Sequence, residues 1–314
     1  MSSSEPLDIK NYIGLTGDTP IRFIASDVDG TLVNDAKSVD PEVVNAVRAA
    51  RESGIRVAIA SGRAWHEMDD VIDAMPCLRY FVCTNGAYVM DKEAQKELVH
   101  ISFDKTRAVG LVRKLMTYGV FVEAYVKAEI FGQYPVIGNE TAQAEHFFRP
   151  NIRPFILKTR TMVPDLLVHL ESLPEGPEKI QIFYGDERIR ERILADLRDA
   201  FQGAAIDGKG RERFYDVLES SEGNLEFVLP HTTKGTAVEA LANHWGSTPD
   251  EVMTIGDSEN DLSMIRFASA SVAMGNARDN VKAAARYETT DNNHYGVARA
   301  IYSAIVYNCE LENK

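Results

Sequence analysis

Two aspartates one residue apart, Asp27 and Asp29, stand in the run Asp27-Val28-Asp29-Gly30-Thr31-Leu32. Acids this close resist joint ionisation unless a cation lies between them. A hard cation such as Mg2+ takes oxygen ligands and keeps room for water and for a phosphate oxygen. One carboxylate can then attack as a nucleophile while the other moves protons. The same hexapeptide also reads as an ordinary acidic turn after a strand. A calcium loop starting at Asp27 does not fit. It needs an acid or amide at its fifth position, Gly at its sixth and Glu at its twelfth, where this chain has Thr31, Leu32 and Ser38.

Three further groups carry chemistry that would complete such a site. Ser61 stands at the start of Ser61-Gly62-Arg63, where its hydroxyl and the N–H groups that follow could hold a phosphate. Serine at a helix start is also an ordinary N-cap. Lys234, in Thr232-Thr233-Lys234-Gly235, is a compact cation suited to a phosphate or a carboxylate. In a first helical turn it is opposed by the helix dipole, which favours an anionic partner over bare solvation. Finally, Gly256-Asp257-Ser258-Glu259-Asn260-Asp261 offers two acids at i and i+4, and an amide able to donate to a phosphate oxygen.

Each group needs an element to present it. Ile21–Ser26 is short and apolar-rich and reads as a buried parallel strand that ends at Asp27. Asp40-Pro41-Glu42 opens a helix that ends at Gly54. Residues 56–60 and 80–83 are the next strands, ending at Ser61 and at Thr84-Asn85-Gly86, with a helix to about Ala74 between them. This βαβαβ rhythm predicts an α/β, doubly wound parallel sheet, whose ligands bind at the carboxyl ends of its strands. The rhythm then breaks. Residues 87–226 mix hairpin-like strands (120–125, 180–184) with helices (104–118, 187–201) and carry Pro150, Pro154, Pro164, Pro174 and Pro177. They read as an inserted α+β domain. Residues 225–229 read as the return strand or hinge. The α/β rhythm resumes with helices at 233–245, 259–267, 277–285 and 296–307 and strands at 251–255 and 271–274. The expected division is a loosely held extension at 1–20, a core at 21–86 and 227–314, and the insert at 87–226.

A chain of 314 residues suggests about two domains, and 45% hydrophobic with 26% charged residues gives a globular core. The net charge of −13 disfavours nucleic acid and acidic membrane as partners, so an anionic substrate must be held by local positive groups and metal. Cys77, Cys83 and Cys309 lack metal-type spacing and read as reduced thiols, and the start has neither a basic nor an apolar signal region. The expected setting is cytoplasmic. Asn139-Glu140-Thr141 spells a glycosylation acceptor that this setting leaves unused.

Taken together, the motifs resemble those of the haloacid dehalogenase-like phosphohydrolase superfamily, and in particular its Cof-type branch, with a large cap between the second and third motifs. Asp27 to Leu32 match the first motif, Ser61 in Ala60-Ser61-Gly62-Arg63 the second, Lys234-Gly235 the third and Gly256 to Asp261 the fourth. Thr84-Asn85-Gly86-Ala87 resembles the exit into the cap, which marks Asn85 and Gly86 as candidates to touch substrate. Met274-Gly275-Asn276-Ala277 and residues 292–297 resemble C-terminal segments of the family.

The resemblance implies that Asp27 attacks phosphorus and that Asp29 serves as acid and then base. It implies Mg2+ held by Asp27, the backbone carbonyl of Asp29 and Asp257, with Asp261 beside it or one layer behind. It implies that Ser61, Gly62, Lys234 and Asn260 bind the phosphoryl group. The expected activity is Mg2+-dependent hydrolysis of a small phosphorylated metabolite, a sugar phosphate. A phosphomutase of the same superfamily and a metabolite-binding protein without catalysis are the alternatives. The chain departs from the family pattern at Pro230-His231-Thr232, where a small residue more often follows Pro; His231 reads as a surface residue of the hinge.

A receiver-like signalling module would share the acidic pocket and the lysine, but the insert and Asp29 argue against it. Gly203 to Gly210 nearly spells a P-loop, yet Gly210 stands where Ser or Thr must bind Mg2+, so this segment reads as a loop of the insert.

Overall fold

The computed structural model describes residues 12–127, 129–135, 140–197, 204–205, 211–212, 214–219 and 223–313. The chain divides into two units. One comprises the residues up to Arg63, Met68–Val99 and those from Thr233 onward; the other comprises Ala64–Glu67 and His100–Thr232.

The first unit is built on an eight-stranded sheet. Its strands are β1 (Phe23–Ser26), β2 (Arg56–Ala60), β3 (Tyr80–Cys83), β4 (Tyr88–Asp91), β5 (Lys96–His100), β14 (Val252–Gly256), β15 (Ala270–Ala273) and β16 (Tyr287–Glu288). They lie in the order β16-β15-β14-β1-β2-β3-β4-β5, parallel from β16 to β3, with β4 antiparallel to β3. All four residues of β1 and all five of β14 are buried, as strands covered on both faces must be. Successive strands run outward from β1 in one direction and from β14 in the other. The crevice beyond the carboxyl ends of this pair is therefore the topological switch point, where open α/β sheets bind their ligands. The helix Pro41–Glu52 forms where the sequence placed it. The Asp40 side chain accepts from the N–H of Glu42, Pro41 fits the first turn, and Val43, Ala46, Val47 and Ala50 line the buried face.

The second unit has a six-stranded sheet. Its strands are β6 (Phe121–Val126), β7 (Glu129–Gln133), β8 (Thr161–Met162), β9 (Lys179–Phe183), β12 (Asp216–Leu218) and β13 (Asn224–Val228), in the order β12-β13-β9-β6-β7-β8. The pairing is antiparallel except for β7 with β8. Alternation divides its faces. Val122, Ala124, Ile180, Ile182, Leu225 and Phe227 join the apolar cluster with residues of the helices Lys105–Met116 and Leu166–Ser172. Glu123, Tyr125, Lys179, Gln181 and Glu226 alternate with them and are also buried.

The described elements correct the expected boundaries. Strands β4 and β5 belong to the core sheet rather than to an insert beginning at 87, because β4 completes the ladder of β3. Residues 224–228 are not a hinge but a central strand of the second sheet, pairing with both β9 and β12. The helices Glu140–Phe147, Arg153–Thr159 and Leu166–Ser172 lie among the prolines of the insert; Pro154 sits in a first turn, where it breaks nothing.

The segment from Ile13 to Ile21 is tied at both ends to the helix Gly296–Glu312. The N–H of Ile13 donates to Ser303 Oγ at 2.9 Å, and Asn308 both accepts from the N–H of Ile21 at 2.8 Å and donates to its carbonyl at 2.7 Å. Residues 1–11, Asn139 and the end of the expected helix 187–201 lie outside the described residues. So does most of the P-loop-like stretch, of which Ala204–Ala205 (β10) pairs with Arg211–Glu212 (β11). Among the described residues no helix is long and apolar enough to cross a membrane.

Candidate active site

The register of β1 against β14, Ser26 opposite Ile255, brings Asp27 beside the turn that carries Asp257; the N–H of Asp27 donates to the Ile255 carbonyl at 2.9 Å. Asp257 accepts from Thr31 Oγ1 at 2.9 Å. Gly30 makes this approach possible: its φ is +82°, and a Cβ there would lie 2.7 Å from Asp257 Oδ2.

The fourth motif does not start a helix at once. A 3-10 turn over Glu259–Asp261 precedes the helix Leu262–Phe267. In that turn Asp261 Oδ2 accepts the N–H groups of Asp257 and Ser258 at 3.0 and 2.9 Å, so this buried acid fixes the turn as well as facing the centre. Asp27, Asp257 and Asp261 each offer an oxygen, and these oxygens lie within 4.8 Å of one another.

Lys234 opens the helix Lys234–His244, with Thr233 as its cap. Gly86 lets that helix start come close: its φ is +106°, and a Cβ there would collide with the Thr233 carbonyl. Lys234 is buried, and its Nζ donates to Asp27 Oδ1 at 2.5 Å and to Asp261 Oδ1 at 2.6 Å. The anionic partner that its first-turn position called for is thus a pair of carboxylates.

The electrostatics follow from three acids sharing one ammonium. Burial and the neighbouring Asp261 push the Asp27 carboxyl well above the ordinary range, against the pull of Lys234. Burial and Asp261 also raise Asp257, with the Thr31 hydroxyl opposing. Burial works against the charge of Lys234, but Asp261 and Asp27 outweigh it and hold the ammonium above its usual range. Asp27 Oδ2 is buried and has no hydrogen-bond partner. An orphaned carboxylate oxygen beside two further acids, in a protein that pairs most buried polar atoms, fits a hard divalent cation.

Asp29 is set apart from this cluster. Arg63 grips its carboxylate with Nε to Oδ2 and Nη2 to Oδ1, both at 2.7 Å, and Lys37 approaches Oδ1 at 3.4 Å. Burial would raise its pKa, but Arg63 and then Lys37 outweigh that and hold the carboxyl below the usual range. The side chain expected to work on protons is therefore anchored to a cation and is not among the clustered acids.

Ser61 is buried at the end of β2, where its Oγ accepts from the N–H of Arg63 at 3.1 Å. Gly62 lies against the Asn85 side chain, and Asn260 Nδ2 donates to Asn85 Oδ1 at 3.2 Å. His231 is exposed, as expected of a surface residue.

Sequence reasoning gave no role to Arg63, Thr31 or Asn276, whose Nδ2 donates to the Gly30 carbonyl at 2.8 Å. The signal for Arg63 was its place two residues after Ser61, at the carboxyl end of a strand next to β1. In the second unit Tyr125 and Tyr134 are buried while His146 and Arg149 are exposed.

Comparison with known proteins agrees with this geometry. The haloacid dehalogenase-like hydrolase family matches residues 24–301. The putative phosphatase YxeH of Bacillus subtilis is 29% identical over 294 residues, covering 91% of this chain and 98% of that protein. The 5-amino-6-(5-phospho-D-ribitylamino)uracil phosphatase YcsE of the same organism is 27% identical over 287 residues, covering 90% and 96%. The crystal structure of a haloacid dehalogenase-like hydrolase from Bacteroides thetaiotaomicron superimposes with a TM-score of 0.73 at 28% identity, covering 90% of this chain and 98% of that one. With the acids, the lysine and the switch-point crevice in place, the chain belongs to the haloacid dehalogenase-like hydrolases and is an enzyme of their phosphoric monoester hydrolase kind.

Proposed function

We propose that this protein is a Mg2+-dependent phosphatase that hydrolyses a small phosphorylated metabolite, a sugar phosphate or similar polyol phosphate, through an aspartyl phosphate on Asp27. The observation that carries the reading is the orphaned, buried Oδ2 of Asp27 amid Asp257, Asp261 and Lys234. The named phosphoribityl substrate of YcsE supports a polyhydroxylated leaving group.

In this reading an Asp27 oxygen attacks phosphorus, and the bond from phosphorus to the ester oxygen breaks. Asp29, protonated for this step, gives its proton to the departing alkoxide. In the second half-reaction ionised Asp29 takes a proton from water, whose oxygen attacks phosphorus and releases Asp27 and inorganic phosphate. The grip of Arg63 and Lys37 favours the ionised form, which suits the second step. Lys234 holds Asp27 in line and offsets charge on the phosphoryl oxygens, with Ser61, Gly62 and Asn260 as further donors. Asp27, Asp257 and Asp261, with the backbone carbonyl of Asp29, would hold Mg2+, which when bound supplies positive charge against the phosphoryl oxygens.

The test is phosphate release from a panel of phosphorylated metabolites, with Mg2+ and with EDTA. Mg2+-dependent release from a few polyol or sugar phosphates is the expected result. No release from any member with the metal bound would overturn the reading.

A further inference from the structure

The turn that ends β3 holds three successive residues in the left-handed region: Thr84 at φ 51°, Asn85 at 52° and Gly86 at 106°. Glycine enters that region freely and asparagine tolerates it, but a β-branched threonine there is an outlier. Thr84 is also buried, and its Oγ1 has no hydrogen-bond partner. Neither its backbone nor its hydroxyl is at ease, so local stability does not account for the turn. A conformation kept at a cost persists where the surroundings secure something through it.

What the turn secures is Asn85. The N–H of Thr84 donates to the Arg63 carbonyl at 2.9 Å, and that of Asn85 to the Ser61 carbonyl at 3.0 Å. The turn is thereby laced to the loop carrying Ser61, Gly62 and Arg63. The Asn85 carboxamide lies over Gly62, where a Cβ would come within 3.2 Å of Oδ1. From there Asn85 Oδ1 accepts from Asn260 Nδ2 at 3.2 Å, and Asn260 Oδ1 accepts from Ser258 Oγ at 2.7 Å. Held at both ends, the Asn260 amide has a fixed plane. One of its two N–H groups is committed to Asn85, and the direction of the second is set.

We infer that Asn85 is a positioning residue for phosphoryl transfer: it orients the Asn260 carboxamide so that the remaining N–H meets the transferring phosphoryl group. This rests on the phosphatase reading above. It also gives the strained turn a purpose, since a right-handed Asn85 would carry its side chain away from Gly62 and Asn260.

The test compares wild type, Asn85→Gly, Asn260→Ala and the double variant. The readouts are kcat and KM on a substrate found by the panel, the affinity for orthovanadate as a phosphoryl mimic by calorimetry, and Tm. Asn85→Gly is expected to lower kcat about tenfold while KM moves less than about threefold, because the lost interaction serves the transition state more than the ground state. Orthovanadate affinity falls by a similar factor. Tm does not fall, since glycine accepts this φ. In the Asn260→Ala background, Asn85→Gly has no further effect, the signature of a residue that acts through another.

Unchanged kcat and orthovanadate affinity in Asn85→Gly would overturn the inference, as would losses that add in full in the double variant, or a loss of activity that merely follows a lowered Tm. A wild type that neither releases phosphate nor binds orthovanadate would instead overturn the phosphatase reading, and this inference with it.

Discussion

Two buried charge clusters, one in each unit, differ in how their charges close. In the second unit Arg160, 3% exposed at its side chain, donates to both Glu123 oxygens, to the Tyr125 hydroxyl and to Glu67. Glu67 in turn accepts the N–H of Ala64 at 2.8 Å, and Lys179 pairs with Glu226 at 3.5 Å. In the first unit Asp27, Asp257 and Asp261 share Lys234, one Asp27 oxygen has no partner, and the acids Asp27 and Asp257 are pushed up. Both clusters face a desolvation cost. The Arg160 cluster has met it with hydrogen bonds, as a structural ion network does. The Asp27 cluster has left part of it unmet, as a site does when its remaining partner is to come from outside.

Breaking the unmet cluster should remove chemistry. Asp27→Asn is expected to lower turnover about a thousandfold or more, since an amide cannot serve as the nucleophile. Its Tm should equal or exceed that of wild type, because the change removes one of the crowded carboxylates. Phosphate release and thermal melts check both halves, and near-normal release by this variant would sink the nucleophile assignment. Lys234→Met should cost about a hundredfold in kcat. It should also destabilise the metal-free protein by about 3–5 kcal/mol, because the buried acids lose their only cation among the described residues.

Breaking the satisfied cluster should cost stability and spare the chemistry. Arg160→Met takes from Glu123 and Glu67 the guanidinium they share and is expected to lower stability by about 3 kcal/mol, while kcat stays within about threefold. A large kcat loss with unchanged stability would erase the contrast drawn between the clusters.

The smallest effect concerns pH. A carboxyl whose folded pKa is raised binds its proton more tightly in the folded state. Its stabilising contribution is full below the ordinary carboxylate range and is lost as pH rises through the folded pKa. For Asp27 and Asp257 the metal-free protein therefore gives up stability from these groups as pH climbs above that range. Mg2+ should recover it. The rise in Tm on adding Mg2+ is expected to be larger at pH 7.5 than at pH 5, and equal shifts at both would argue against metal binding by these acids.

Much of the site was legible because its chemistry is written locally. Asp27 and Asp29 one residue apart, Ser61 after an apolar run, Lys234 in a first turn and the acids of 257–261 each stand at the end of a strand or the start of a helix. Those element ends come from hydrophobic period and capping residues that a short window contains. The same local signals gave β1 to β3, β14, β15 and the helix Lys234–His244 to within a few residues. They failed at β4 and β13, where a strand's sheet is decided by which partner offers a free edge.

What the sequence determined by itself is the set of reactive groups and the alternating order of elements that carries them. Only the tertiary structure decided the pairings: Lys234 with Asp27 across 207 positions, Arg63 on Asp29 rather than free, Asn260 on Asn85, and Glu123 closed by Arg160. Each depends on strand register and on how closely two backbones approach, as at Gly30 and Gly86. Those distances are set by the packing of the whole sheet, and no single stretch of sequence contains them.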